Sequence, residues 1–384
     1  MDLDRPFVDR DLAAAVSKLV TSCTADATRL ESEHRDPRQA LPALVQHFGR
    51  NGLLRLVVPS AFGGAHDAVQ STVLCLAREQ LGRVSPLADL TFAMQGLGSH
   101  PIVLRASEAL KAQWLPSVAN GTAIAAFALT ETEAGSDLGR IATTARKDGD
   151  AYVLDGHKIF ISNAGLASFY TVFAATAEMK APRRLSAFVV PAGTAGLSAT
   201  PMAVLGGHPI GEVTLQQVRV PIAARIGDEG DGMSIALETL QRFRPTVGAA
   251  AVGFAQRALD EALSHTTTRE QFDGKLASLQ AVQMRLADMA VDIDAARMLV
   301  YRAARAVDDN LDRAVVTRTG SIAKLFATEA AQRVIDHAVQ LHGGRGVMTT
   351  SIVARLYEDV RALRIYEGTS DVQRLLIART LTGL

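Results

Sequence analysis

Cysteine is nearly absent: Cys23 and Cys75 are the only two in 384 residues, and neither stands in a metal-ligand spacing. That excludes a disulfide scaffold, gives no metal site, and reads as a pair of ordinary thiols in a reducing compartment. An excess of one charge is absent too, because Lys+Arg and Asp+Glu each number 40. With no basic block there is no electrostatic footprint for nucleic acid, which is not expected as a partner. Long apolar spans are also missing. The uncharged runs at 159–177 and 185–207 are broken by Ser162, Asn163, Gly165, Pro191, Gly193 and Pro201, so no membrane span is expected. The segment Met1-Asp2-Leu3-Asp4-Arg5-Pro6 carries acids and no following apolar stretch, which is not the pattern of a secretory signal. A soluble cytoplasmic protein is the expectation.

What is present is a globular balance of 48% apolar and 21% charged residues. A chain this long suggests about two or three domains. Residues 1–122 read as helices joined by turn signals such as Pro59 to Gly64 and Gly96 to Pro101. From 123 to 225 the texture changes to short β-prone runs at Ala125 to Leu129, Ala151 to Leu154, Phe169 to Phe173, Ala187 to Val190 and Val213 to Val220, which predict a small sheet or barrel. Helical patterns resume over 226–384. The clearest is Leu279, Val282, Leu286, Met289, Ile293, Ala296, Val300, Ala303 and Val307, with steps of three and four, which predicts a packed bundle helix. The fold class is therefore α+β, mostly α: an N-terminal helical domain, a central β domain and a C-terminal four-helix bundle.

One segment places a carboxylate beside a glycine and then opens a helix: Arg364-Ile365-Tyr366-Glu367-Gly368-Thr369-Ser370-Asp371-Val372-Gln373-Arg374. Ser370 and Gln373 fit a capping box, so a helix is expected to start at Ser370 and run through Leu375, Leu376 and Ile377. Glu367 just ahead of it reads either as a catalytic base on a tight turn or as an acid that complements the positive helix end.

Four more segments bear on that choice. Ala128-Leu129-Thr130-Glu131-Thr132-Glu133-Ala134-Gly135-Ser136-Asp137 taken alone is a solvated turn. Lys158-Ile159-Phe160-Ile161-Ser162-Asn163 is a strand with one aromatic. Arg269 to Gln280 is a charged connection whose guanidinium suits a phosphate, and Gln340-Leu341-His342-Gly343-Gly344-Arg345-Gly346-Val347 is a helix end with room for close backbone approach. In this order, with Glu367 27 positions after Gln340, they resemble the flavin-dependent acyl-CoA dehydrogenase family across essentially the whole chain. The chain departs from the family pattern at Arg140, at Phe160 (usually Trp), at Asp273 (usually Gly) and at Thr350 (usually an acid).

The resemblance implies FAD as cofactor and dehydrogenation of an acyl-CoA between its α and β carbons, in fatty acid metabolism. It implies that Glu367 takes the α-proton while its backbone N–H helps hold the thioester carbonyl, with Ser136, Arg244 and Gly368 at the substrate. Phe127, Leu129, Thr130, Gly135 and Ser136 would line the flavin, and Phe160, Ile161 and Ser162 would cover one of its faces. Arg269, Phe272, Gln280, Gln340, Gly343 and Gly344 would reach a neighbouring subunit's FAD, so a homodimer or homotetramer is implied, and Thr369 and Asp371 complete the cofactor set. Arg244 reads equally as an interhelical ion pair. Some relatives carry the base on the helix of Arg242-Phe243-Arg244-Pro245, and the lack of a Glu at 242–244 favours Glu367. Electrons would pass to an electron-transferring flavoprotein.

Other readings stay open. The acyl group could ride on a carrier protein, or the scaffold could be non-catalytic. A glutaryl-CoA type is disfavoured because residues 87–104 contain no Lys or Arg, and a nitroalkane oxidase type because that type uses Asp at the base position. Phe92, Met94 and Gln95 are expected to set the depth of the acyl pocket.

Overall fold

The computed structural model describes residues 8–34, 36–178, 181, 183–271 and 273–383. Phe272 and the Met1 to Pro6 segment lie outside the described residues. Five helices come first: α1 (Arg10–Glu33), α2 (Pro37–Arg50), α3 (Ser71–Val84), α4 (Pro86–Arg105) and α5 (Glu108–Ala119). Four of the five starts follow from a short polar residue where orphan N–H groups need an acceptor, α3 being the exception. Asp9 accepts from the Leu12 N–H, Asp36 from Arg38, Ser85 from Leu87 and Ala88, and Ser107 from Leu110. Both cysteines are buried in these helices, and burial pushes both thiols up in pKa, so neither is a reactive thiolate.

The sheet comprises β1 (Ala125–Ala128), β2 (Thr144–Asp148), β3 (Ala151–Ser162), β4 (Phe169–Ala175), β5 (Leu185–Pro191), β6 (Leu197–Met202), β7 (Ile210–Pro221) and β8 (Arg225–Ile226). Its order is β6-β7-β3-β2-β4-β5-β8, with β1 parallel to β4. The runs expected from sequence are strands, while β2 and β6 were not legible because their exposed, charged or Thr/Pro-containing faces lack an apolar run. Between Lys158 and Ile161 the pairing of β3 with β7 slips, and Ile159 and Phe160 bulge out of the ladder.

The last third holds α6 (Gly232–Thr268), a hairpin of β9 (Glu270–Gln271) and β10 (Gly274–Lys275), then α7 (Gln280–Asp308), α8 (Arg313–His342), α9 (Ile352–Leu363) and α10 (Ser370–Thr382). The heptad-like stripe belongs to α7. It is buried from Met289 onward, while Val282 and Leu286 are partly buried against the core and Leu279, just ahead of the helix, is 37% exposed. The helical regions share one core: α3 packs on α6 and α7, and buried Glu79 accepts from Arg297 Nε at 2.9 Å and from the Tyr301 hydroxyl at 2.6 Å. A second core lies within the sheet. Gly98 lets α4 touch β1, since a Cβ there would meet the Ala125 Cβ at 2.8 Å. Among the described residues no helix is long and apolar enough to cross a membrane.

Candidate active site

The turn from Arg364 to Thr369 joins α9 to α10. The helix starts where the sequence predicts, but the cap differs: Thr369, not Ser370, is the N-cap and accepts from the Val372 N–H at 3.2 Å. Ser370 and Gln373 are thereby released from the expected capping box. The Ser370 hydroxyl donates to Glu329 Oε1 at 2.7 Å, and Gln373 Nε2 donates to the carbonyls of Gly368 at 3.0 Å and Glu367 at 3.3 Å. Glu367 and Gly368 are both left-handed, with φ 52° and 92°. A non-glycine residue there is strained and persists only where its surroundings hold it.

Glu367 lies half-buried, and its Oε2 is buried with no hydrogen-bond partner among the described residues. Burial pushes its carboxyl above the ordinary carboxylate range, against the pull of Arg78, Lys324 and Arg244, with Asp89 adding a like charge. Arg244 is 8% exposed, and its Nε also lacks a partner. It forms no ion pair among the described residues; it is a buried cation that the Glu367 charge stabilises against burial. Lys324, on α8, is fully buried and donates to the Gly368 carbonyl at 2.8 Å. Burial pushes its ammonium down to about 8, and the Glu367 charge is the chief effect that resists this.

Arg78, Asp89 and Lys324 were not singled out in the sequence. Residues 87–104 contain no Lys or Arg, and the cation next to Asp89 comes from the neighbouring helix α3. Arg78 grips Asp89 with two bonds, Nε to Oδ1 at 2.8 Å and Nη2 to Oδ2 at 2.7 Å, and donates from Nη1 to Thr246 Oγ1 at 2.9 Å. Only 2% and 3% of the two charged side chains is exposed. The available signal was the Arg78-Glu79 pair after the apolar Val73 to Ala77 run and, for Lys324, a charge inside a face of Gly320, Ala327 and Ala331. Of the residues expected to set pocket depth, Gln95 does not. Its amide is bonded to Ala123 O at 2.9 Å and Ala125 N at 2.8 Å, locking α4 to the start of β1.

On the sheet, Lys158 is fully buried and fixes three oxygens: Glu131 Oε1 at 2.8 Å, Phe173 O at 2.6 Å and Leu129 O at 3.2 Å. Thr130 O accepts from the Ile159 N–H at 3.0 Å, so the 129–131 and 159–162 segments form one edge. The Thr-Glu segment is thus no solvated turn throughout, since Glu131 is buried and only 132–133 and 135–137 are exposed. Phe127, Leu129 and Ile161 are buried, while Phe160, at φ 58°, leaves 54% of its surface exposed. Ser162 Oγ bonds His208 Nε2 at 2.7 Å. His208, Tyr366 and Asp89 line one cavity of about 770 Å³, whose walls include neither Glu367 nor the 129–131 and 159–162 segments.

A second group gathers at the far end of the bundle. His265 and His342 stack with centroids 4.5 Å apart, joining the C-terminal ends of α6 and α8, which Arg269 and Gly343 respectively follow. Asp273 has φ 61°, so the hairpin keeps the left-handed turn that a glycine would supply. Gln280 opens α7, and Arg269, Gln280, Gln340, Gly343 and Gly344 are all exposed. Gln340 lies 16 residues along α8 from Lys324, about 24 Å at the helical rise, so one chain does not bring these residues to Glu367. Asp371 is exposed and pairs with Arg374 at 3.1 Å, and Ser136 is exposed beside Gly135. Arg140 lies 4.0 Å from Glu133 on the surface.

The residues suit a large planar group with a phosphate tail. A Cβ built on Gly135, Gly343 or Gly344 meets nothing within 4 Å, and the strained Phe160 ring stands out from the sheet edge. Chemically, a carboxyl whose pKa burial raises and whose buried oxygen has no hydrogen-bond partner is a candidate proton acceptor.

Comparison with known proteins gives three matching family models: acyl-CoA dehydrogenase N-terminal domain at residues 9–122, middle domain at 126–218 and C-terminal domain at 230–382. The probable acyl-CoA dehydrogenase fadE25 of Mycobacterium leprae is 39% identical over 381 residues, covering 98% of this chain and 96% of that protein. The solved butyryl-CoA dehydrogenase of Megasphaera elsdenii is 32% identical with a TM-score of 0.91, and all of both chains is covered. An acyl-CoA dehydrogenase of Bacillus anthracis solved with FAD is 29% identical with a TM-score of 0.88, covering 100% of this chain and 67% of that one.

Proposed function

Because the chain belongs to the acyl-CoA dehydrogenase family, we propose that it oxidises an acyl-CoA thioester between its α and β carbons, with Glu367 as the base. The observation that carries this reading is the buried, unpartnered Glu367 Oε2 on a left-handed turn. Removing a weakly acidic α-proton favours a base whose pKa is raised and whose oxygen is free to accept it. Burial raises the Glu367 carboxyl, and Oε2 has no hydrogen-bond partner among the described residues. Glu367 holds the proton afterwards as a neutral acid, which its buried setting favours.

FAD fits the residues present. Leu129, Thr130, Phe160, Ile161 and Ser162 would hold its ring, Phe127, Gly135, Ser136, Thr369 and Asp371 would complete the site, and bound FAD supplies the acceptor for the β-hydride that no side chain provides. Arg244 and the Gly368 turn orient the substrate. The Arg269 and Gln340 group lies far from Glu367 along α8, which supports its serving the FAD of a second subunit in a homodimer or homotetramer. The exposed Met284 and Val291 of α7 supply apolar surface for such an assembly. We take the chain as three domains, 1–122, 123–225 and 226–384, and an electron-transferring flavoprotein as the electron acceptor.

The test is Glu367→Gln in the flavin-loaded protein. It is expected to retain the fold and yellow colour and to lose dehydrogenation by about three orders of magnitude or more. Full turnover by the variant would reject the assignment.

A further inference from the structure

We propose that Lys324 is a positioning residue for the base: it pins the Gly368 carbonyl and keeps a positive charge behind the Glu367 carboxylate. This rests on the reading of Glu367 as the base. A buried ammonium is costly unless it is hydrogen-bonded and faces a countercharge. Lys324 has no exposed surface, sits among buried Gly320, Ala327, Thr328 and Ala331, and makes its bond to the one carbonyl that follows the base.

The turn needs such a hold. Two successive left-handed residues, one of them glutamate, relax unless tied down. Three bonds do this: Lys324 to Gly368 O at 2.8 Å, and Gln373 to Gly368 O at 3.0 Å and Glu367 O at 3.3 Å. The flanks are tied to the same helix, because Glu329 of α8 accepts from Ser370 Oγ at 2.7 Å and from Arg364 at 2.8 Å.

The charges can be sorted by what they do. Glu367 faces Arg78 from α3, Asp89 from α4, Arg244 from α6 and Lys324 from α8, while Lys324 also faces Arg244, Glu329 and Arg364. Arg78 is bound to Asp89 and Thr246. Of the three cations, Lys324 is the one that hydrogen-bonds to the turn among the described residues. It therefore combines two separable effects, geometry and charge, while Gln373 supplies geometry alone.

The separation is the test, made on flavin-loaded protein with an acyl-CoA that the wild type turns over. The pH profile of kcat/KM and amide hydrogen exchange over 364–370 are measured together. Lys324→Met is expected to speed exchange, to lower kcat about tenfold or more, and to move the acidic limb upward by about one pH unit, because a positive charge that favours ionised Glu367 is gone. Gln373→Leu is expected to speed exchange and lower kcat with the limb in place, and Lys324→Arg to keep the limb in place. A wild-type limb in Lys324→Met, or the same upward move in Gln373→Leu, would overturn the proposal. If Lys324→Met does not fold, unchanged exchange and kcat in both Lys324→Arg and Gln373→Leu would overturn it. Failure of the base assignment itself would appear separately, as turnover by Glu367→Gln.

Discussion

Lys158 Nζ lies 2.8 Å from Glu131 Oε1 inside the sheet, with 0% and 8% of the two side chains exposed. The pair joins the two segments expected to border the flavin, because the same ammonium also holds Leu129 O and Phe173 O, and Glu131 also accepts from the Ala142 N–H at 2.6 Å and the Thr143 N–H at 3.0 Å. Removing one partner leaves an uncompensated buried charge, which costs roughly 3–5 kcal/mol. Lys158→Met is therefore expected to lower the melting temperature and to release flavin, both of which absorbance during a thermal ramp reports. Unchanged melting and flavin content would show that the pair organises nothing.

The same pair sets an acid limit. For Glu131, burial acts upward but Lys158 and the bonds from Thr143 and Ala142 outweigh it, so its pKa lies below the ordinary 4.5. A depressed carboxylate contributes stability that is complete above its unfolded pKa and is lost as pH falls through the lower folded value. Unfolding free energy is expected to hold steady just above pH 4.5 for this group and to drop below it, and Glu131→Gln is expected to flatten that drop. Urea titrations across this range check it, and an equal drop in the variant would contradict it.

Gly368 is needed at its position on two counts. Its φ is 92°, and a Cβ there would meet Gln373 Nε2 at 2.5 Å. Gly368→Ala is expected to cost about 1–2 kcal/mol of stability. It should depress kcat more than that loss alone would, because the displaced Gln373 amide no longer steadies the Glu367 carbonyl. Chemical denaturation and steady-state kinetics on one preparation separate the two effects. Wild-type values in both would remove the turn from the account.

Arg78 and Asp89 are bound to each other beneath the base turn, and breaking the pair differs from replacing it. Arg78→Met strands a buried carboxylate and is expected to destabilise by about 3–5 kcal/mol, whereas Arg78→Met with Asp89→Leu is expected to recover most of that. Denaturant midpoints of the two single variants and the double variant form the cycle. A double variant as unstable as the sum of the singles would show that the two residues do not act as a pair.

The helix, sheet and helix order was legible because periodicity changes with each region, and the turn at Glu367 because Glu-Gly precedes a helix start. What was hidden came from tertiary approach. Lys324 lies 43 residues before Glu367 and Arg78 lies 289 before it, so neither spacing carried a signal. Gln373 looked like half of a capping box, and only the left-handed turn, which hands the cap to Thr369, turns its amide onto the Glu367 and Gly368 carbonyls. Gln95 looked like pocket lining, and only the approach of β1 to α4 shows that it serves a junction.

The account turns on whether the Glu367 carboxylate removes the α-proton of a bound thioester. Exchange of the substrate α-hydrogens with D₂O, followed by mass spectrometry of the recovered acyl-CoA, reads that step without requiring hydride departure. Wild-type protein is expected to incorporate deuterium at the α carbon, and Glu367→Gln, with its fold and flavin intact, to incorporate none above the rate without protein. Undiminished exchange in the variant would contradict the assignment.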